Sequence, residues 1–140
     1  MSTKTALSPE AMKNLVKDYI QVFSDGNLAA YDEVIAPNFR AHFSNEDKAT
    51  LRQGIERARL AFPDLHVTID DQIVEGDKVV TRWTARGTHQ GTYLGVPATG
   101  KKMEQTGIGI AQIADGKIVA DWSRADDVGV LRQLGILPGS

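Results

Sequence analysis

The sequence contains no cysteine, so disulfides, thiolate nucleophiles and cysteine-based zinc sites are excluded by inventory. Long apolar runs are missing too. Its hydrophobic stretches are a few residues each, far short of the roughly 20 a membrane-spanning helix needs. The polar start Met1-Ser2-Thr3-Lys4-Thr5 has no signal-peptide core, and these two absences point to a soluble, cytoplasmic protein with no membrane partner. Neither charge sign dominates: 16 Lys and Arg stand against 18 Asp and Glu, a net charge of -2. The basic residues form only short pairs such as Lys101-Lys102, not the basic face with stacking aromatics that binds nucleic acid. Nucleophile elbow, Walker loop, dinucleotide fingerprint and His-Glu-x-x-His are all absent, and no two histidines have the close helical spacing of metal ligands. No cofactor and no metal is therefore expected.

What is present fits one domain spanning 1–140. A chain of 140 residues, 41% hydrophobic and 24% charged, can bury about two-thirds of its unfolded surface. The first part reads as helical. Ser8-Pro9-Glu10 is an N-cap, a proline at the first helical position and an early acid. Met12, Leu15, Val16, Tyr19, Ile20 and Phe23 follow at three-and-four spacing up to Asp25-Gly26. Asn27 caps a second short helix with Leu28, Tyr31, Val34 and Ile35, stopped by Pro37. A third runs from Asp47 to Ala61 before Phe62-Pro63.

From Leu65 the period changes to two: Val67, Ile69 and Ile73 alternate with Thr68, Asp70 and Gln72. Gly76-Asp77 forms a hairpin loop into Lys78 to Ala85, a looser glycine-rich segment follows, and strand pattern resumes from Met103 to Ile113. Asp115-Gly116 turns the chain into a last strand, Lys117 to about Ala125, and a short helix from Val128 to Leu134 closes it. Helices first and an antiparallel meander afterwards predict an α+β domain in which a curved sheet wraps around helices on one face and forms a pocket. Gly107 and Gly109 in the penultimate strand suit a bend, or a close approach by a ligand, with bending the simpler account.

The stretch with most chemical content is Asp121-Trp122-Ser123-Arg124-Ala125-Asp126-Asp127. A carboxylate against apolar and aromatic surface loses solvation, and its pKa rises toward the range of proton transfer near neutral pH. Asp126, four residues after Trp122, shares its strand face and is a catalytic candidate; its other reading is structural. Asp127 reads as the cap of the closing helix. Asp121 points to the face opposite Trp122, a solvated or salt-bridged position, and stays a secondary catalytic candidate. His89 stands where a strand opens into the glycine-rich loop, from which an imidazole could reach a pocket mouth or simply pack. His42 lies beside Phe39 and Phe43, and His66 reads as strand surface. Trp122, Trp83, His42, Tyr19 and Arg124 are candidate substrate-binding residues, with core packing the alternative for Trp83. Arg82, Arg86 and Arg124 suit a carboxylate clamp or a solvent face.

Asp115-Gly116-Lys117-Ile118, Trp122-x-x-x-Asp126, Gly129-x-Leu131-x-Gln133-Leu134-Gly135, Gly87-Thr88-His89-x-Gly91 and Gly95-x-Pro97-Ala98-Thr99-Gly100-Lys101 together resemble the SnoaL-like polyketide cyclase family. The resemblance runs from Ser8 to Gly135. It implies a cone-shaped α+β barrel, a curved antiparallel sheet wrapped around N-terminal helices, as in ketosteroid isomerase, scytalone dehydratase and limonene epoxide hydrolase. It also implies a homodimer and a small apolar or aromatic substrate. The activity implied is cofactor-free acid/base chemistry of the lyase or isomerase type, such as aldol cyclisation, on a carbonyl-bearing molecule. The family's tryptophan, aspartate and histidines match at Trp122, Asp126, His42 and His89. The histidine and aspartate used by the name-giving cyclases fall, without gaps, on Gly109 and Ser123, so those two groups are replaced here. A general base at Asp126, aided by His89 or Trp122, is one expectation. The alternatives are a non-catalytic carrier or dimeric binding module of the same fold, and epoxide hydrolysis, for which no Asp-Arg-Asp set is evident.

Overall fold

The computed structural model describes residues 7–138; the polar start Met1 to Thr5 lies outside them. Helix α1 (Pro9–Asp25) begins where Ser8 accepts the Ala11 N–H at 3.1 Å, with Pro9 in the first turn, where a missing N–H costs nothing. It ends at Gly26, whose positive φ of 70° lets its N–H reach the Val22 carbonyl. Asn27 caps α2 (Leu28–Val34) through the Ala30 N–H. That helix stops before Pro37, because Ile35–Ala41 is already a strand, β1. Pro37 is tolerated there because the register between β1 and its neighbour is irregular between Ile35 and Arg40. The short β2 (Glu46–Asp47) leads into α3 (Lys48–Ala61), where Asp47 and Thr50 form a reciprocal capping box, an arrangement worth about 1 kcal/mol.

Four strands complete the sheet: β3 (His66–Glu75), β4 (Lys78–Thr88), β5 (Lys102–Ala114) and β6 (Lys117–Ala125), followed by α4 (Asp127–Gln133). Their order is β2-β1-β6-β5-β4-β3. The expected meander is present, and β1 and β2 extend it. Because β1 runs parallel to β6 the sheet is mixed, and it stays open. The result is an α+β cone, with α1 and α3 set against the concave face and α4 folded back on β5.

Two bulges decide which side chains face inward. Opposite Ile69 and Asp71 the β3 register shifts by one residue, so Val74 joins the core while Ile73, expected beside Val67 and Ile69, is 59% exposed on the outer face. In β6, Gln112 pairs with Ala120 and Ile113 with Ile118, leaving Val119 as the extra residue. An extra residue inverts the alternation of everything beyond it. Ile118 is fully buried in the core, and Asp121, three positions on, also faces inward. The register of β4 with β5 is unbroken along its whole length, so Gly107 and Gly109 mark no bulge. Two apolar clusters fill the cone. One joins α1, α2 and β1 around Tyr31, Phe39 and Ile55; the other joins α4 to Phe62, Leu65 and Met103.

Candidate active site

Between the two clusters lies a cavity of about 460 Å³, a size typical of small-molecule sites. Its walls come from α1, α3, α4 and the concave face of β4, β5 and β6, and are mostly apolar, with Phe23, Phe62, Trp83 and Tyr93 as the aromatic surface. Inward-facing polar groups are few: Tyr19, Glu46, Thr81, Gln105, Asp121 and Ser123 are among them.

Asp121 is the acid that burial pushes upward, whereas Asp47, Asp64 and Asp77 are held down by hydrogen bonds. Its strand partners on either side are Ala41 and Ala111, so methyl groups rather than hydrogen-bond donors flank it. Burial pushes its carboxyl above the usual carboxylate range. The Ser123 hydroxyl, the Trp122 backbone N–H and the His42 charge hold it back only in part. Among the described residues no lysine or arginine forms an ion pair with it. The Ser123 Oγ lies 2.7 and 2.8 Å from the two carboxylate oxygens. Gly109, in register with Ser123, makes this contact possible: a Cβ there would stand 2.3 Å from the Ser123 Oγ. Gly107 does the same for Trp83, whose indole lies where a Cβ would be. Both glycines therefore serve the close approach of neighbouring side chains.

Tyr19 faces Asp121 from α1. Burial first, then the charges of Asp121 and Glu46, keep its phenol protonated well above its ordinary pKa. Its hydroxyl has no protein hydrogen-bond partner among the described residues, leaving a neutral donor at the cavity wall.

The other sequence-selected residues are dispersed. Asp126 lies beyond the last residue of β6 and is exposed. Its carboxylate accepts the Gly129 N–H at 2.9 Å and caps α4, with the bare Cα of Gly129 giving it room. Asp126 does not line the cavity: it stands at the turn out of β6 into α4, where its side chain is taken up by the cap. The cap is thus Asp126, and Asp127 instead accepts from Gln105 Nε2 at 2.8 Å near the cavity wall. Asp121, expected to be solvated or salt-bridged, is turned inward by the Val119 bulge.

His89 does not reach the cavity. It is fully buried behind Phe62 and Tyr93. Its Nδ1 accepts the Thr99 N–H at 3.2 Å and contacts the Thr99 Oγ1 at 3.0 Å, tying together the two ends of the β4–β5 loop. Its Nε2 has no partner. His42 stacks on Trp122 on the outer face, centroids 4.6 Å apart and planes 10° from parallel. Trp122 with Phe43, Val80, Ile108 and Ile110 lines a groove there. Arg124 sits at the rim with its guanidinium 4.2 Å over the Phe43 ring. Arg82 and Arg86 pair with Asp70 and Glu104 rather than with Asp126. Of the sequence-selected residues, Tyr19, Trp83, Asp121 and Arg124 line the cavity.

Ser123 and Glu46 were not among the sequence candidates. The signal for Ser123 is its i+2 spacing from Asp121 opposite a glycine; Glu46 lies on a two-residue strand with no pattern to reveal it. The described residues hold no group of three or more His, Asp or Glu placed to bind a metal, and none of their helices is long and apolar enough to cross a membrane.

A search of curated proteins finds no match. Among solved structures, TsrD from Streptomyces laurentii is 31% identical, covering 94% of this chain and 100% of its own, with a TM-score of 0.87. AclR from Streptomyces galilaeus, a suggested hydroxylase, is 26% identical over 95% of this chain and 86% of its own, with a TM-score of 0.87. IdmH from Streptomyces antibioticus, a suggested polyketide cyclase, is 30% identical over 89% of this chain and 98% of its own, with a TM-score of 0.78. The family model of SnoaL-like polyketide cyclases matches residues 13–134. With the open cone and its inward acid in place, the chain belongs to the SnoaL-like polyketide cyclase family.

Proposed function

We propose that this protein is a cofactor-free acid/base catalyst acting on a small, apolar, carbonyl-bearing molecule, with Asp121 as general base and Tyr19 as donor to the carbonyl oxygen. The observation that carries this reading is a carboxylate without a lysine or arginine ion pair among the described residues, enclosed in a mostly apolar cavity that it shares with a neutral phenol. Asp121 removes a proton from the carbon next to the carbonyl. Tyr19 stabilises the enolate oxygen, and Asp121 returns the proton to carbon or to a newly formed alkoxide. A positioned acid/base group of this kind typically contributes about 10²- to 10⁴-fold to rate. Trp83, Phe62 and Tyr93 offer ring faces to the apolar body of the substrate. Asp126 and His89 serve the fold in this reading, one as a helix cap and the other as a loop tie. Fold alone does not choose between cyclisation, isomerisation and dehydration, and the relatives named above carry different suggested activities.

The test is deuterium uptake from D₂O at the carbon next to the carbonyl, across a panel of ring-bearing ketones and esters. The parent protein exchanges at least one of them, and Asp121→Asn loses that exchange while still binding the compound. Binding without exchange by the parent across the panel would make the protein a carrier.

We also propose that two copies pair through the outer face of the sheet. Phe43, Ile108 and Ile73, each at least half exposed, stand on that face beside Trp122, and a single two-fold interface would cover them on both copies.

A further inference from the structure

We infer that Ser123 is a positioning residue that holds Asp121 in place through both halves of the proton transfer, with Gly109 as the vacancy that lets it do so. The inference deepens the assignment of Asp121 as general base and rests on it.

Asp121 and Ser123 are two residues apart on β6 and face the same side of the sheet. The Ser123 Oγ sits almost equidistant from both carboxylate oxygens, at 2.7 and 2.8 Å. A serine hydroxyl has one proton to give and lone pairs to receive one. It donates to Asp121 while the acid is ionised and accepts from it once the acid carries the substrate's proton. The contact therefore survives both states, and the carboxyl stays fixed whether empty or loaded. A purely apolar neighbour would leave the side chain free to rotate. A lysine or arginine would fix it but hold the proton affinity down.

The surroundings leave this role to Ser123. Tyr19 on α1 and Glu46 on β2 line the cavity with Asp121, and His42 after β1 acts on it only through its charge, from the outer face. The flanking strand positions are Ala41 and Ala111, which donate nothing. The Trp122 backbone N–H is the other donor. Gly109 completes the arrangement, because a Cβ there would lie 2.3 Å from the Ser123 Oγ and 3.4 Å from Asp121 Oδ1. The hydroxyl occupies that space, and any larger residue at 109 would displace it.

The experiment follows the Asp121 carboxyl carbon by NMR titration in the full-length protein, its signal assigned by its disappearance in Asp121→Asn. Ser123→Ala removes a hydrogen bond to the charged form, and Asp121 then titrates about one pH unit higher. Gly109→Ala keeps the hydroxyl but pushes it aside, and moves the titration in the same direction. Ser123→Thr retains the hydroxyl and titrates close to the parent. Amide spectra confirm that each variant is folded; should Ser123→Ala not fold, Gly109→Ala and Ser123→Thr carry the comparison. An unchanged titration in both Ser123→Ala and Gly109→Ala overturns the inference, even if Asp121→Asn abolishes exchange. Conversely, the expected upward move together with full exchange by Asp121→Asn leaves the contact standing and removes the general-base assignment.

Discussion

Replacing Gly107 by alanine tests how the cavity is built. The new methyl carbon would lie 2.1 to 2.6 Å from three atoms of the Trp83 indole, well inside the 3.4–4 Å of ordinary contact. The strand cannot move aside, since Gly107 is paired to Trp83 on β4 and to Ala125 on β6. The indole must therefore swing into the cavity, an overpacking that costs about 1–3 kcal/mol. The gain from replacing a strand glycine is about 0.5–1 kcal/mol, so the net effect is destabilising. Urea denaturation reads the loss, and tryptophan emission in a Trp122→Phe background reports the displaced Trp83 alone. Adding Trp83→Leu to Gly107→Ala should restore part of the stability, a coupling that a double-mutant cycle isolates. Strictly additive effects, or a stable variant with unchanged Trp83 emission, would refute the packing argument.

Asp121→Asn should make the protein more stable at pH 7. The folded carboxyl titrates above its ordinary 3.8, so the folded state holds that proton more tightly than the unfolded one. Its contribution is complete below 3.8 and is lost as pH rises through the raised value, which leaves an unfavourable buried charge at neutrality. Denaturation at pH 7 and at pH 4 checks this: the advantage of the variant shrinks on acidification, and a variant less stable at pH 7 contradicts it. Asp126→Ala removes the α4 cap and should cost about 1 kcal/mol in thermal or chemical denaturation while leaving deuterium exchange intact. Ile108→Lys on the outer face should convert a dimer to a monomer in light scattering; an unchanged mass would remove that face from consideration.

Much of the fold is legible in the sequence because its signals are local. Ser8-Pro9, Asn27 and Asp47 mark helix starts by their capping chemistry, and Gly76-Asp77 and Asp115-Gly116 mark turns by theirs. Strands β1 and β2 are not legible: one holds a proline and the other is two residues long. The site is harder to read than the fold, and the reason lies at one residue. Period-two alternation in β6 groups Ile118, Ala120 and Trp122 as the inner set, which turns Asp121 out. The bulge at Val119 arises from pairing with β5 and reverses that assignment, and no local pattern announces it. Trp122 and His42 were attractive as aromatic and ionisable groups, yet they stack on each other outside the cone. Tyr19 and Trp83, selected for the same kind of reason, do reach the cavity because α1 and β4 keep regular periods.

The most direct test is the structure of the protein with a bound phenol or naphthol, a flat mimic of an enolate. The oxygen of the ligand should lie within hydrogen-bond distance of the Tyr19 hydroxyl, with the adjacent ring carbon beside the Asp121 carboxyl and the ring against Trp83. A ligand seated instead in the outer groove at Trp122, or with its oxygen remote from both Tyr19 and Asp121, would contradict the assignment.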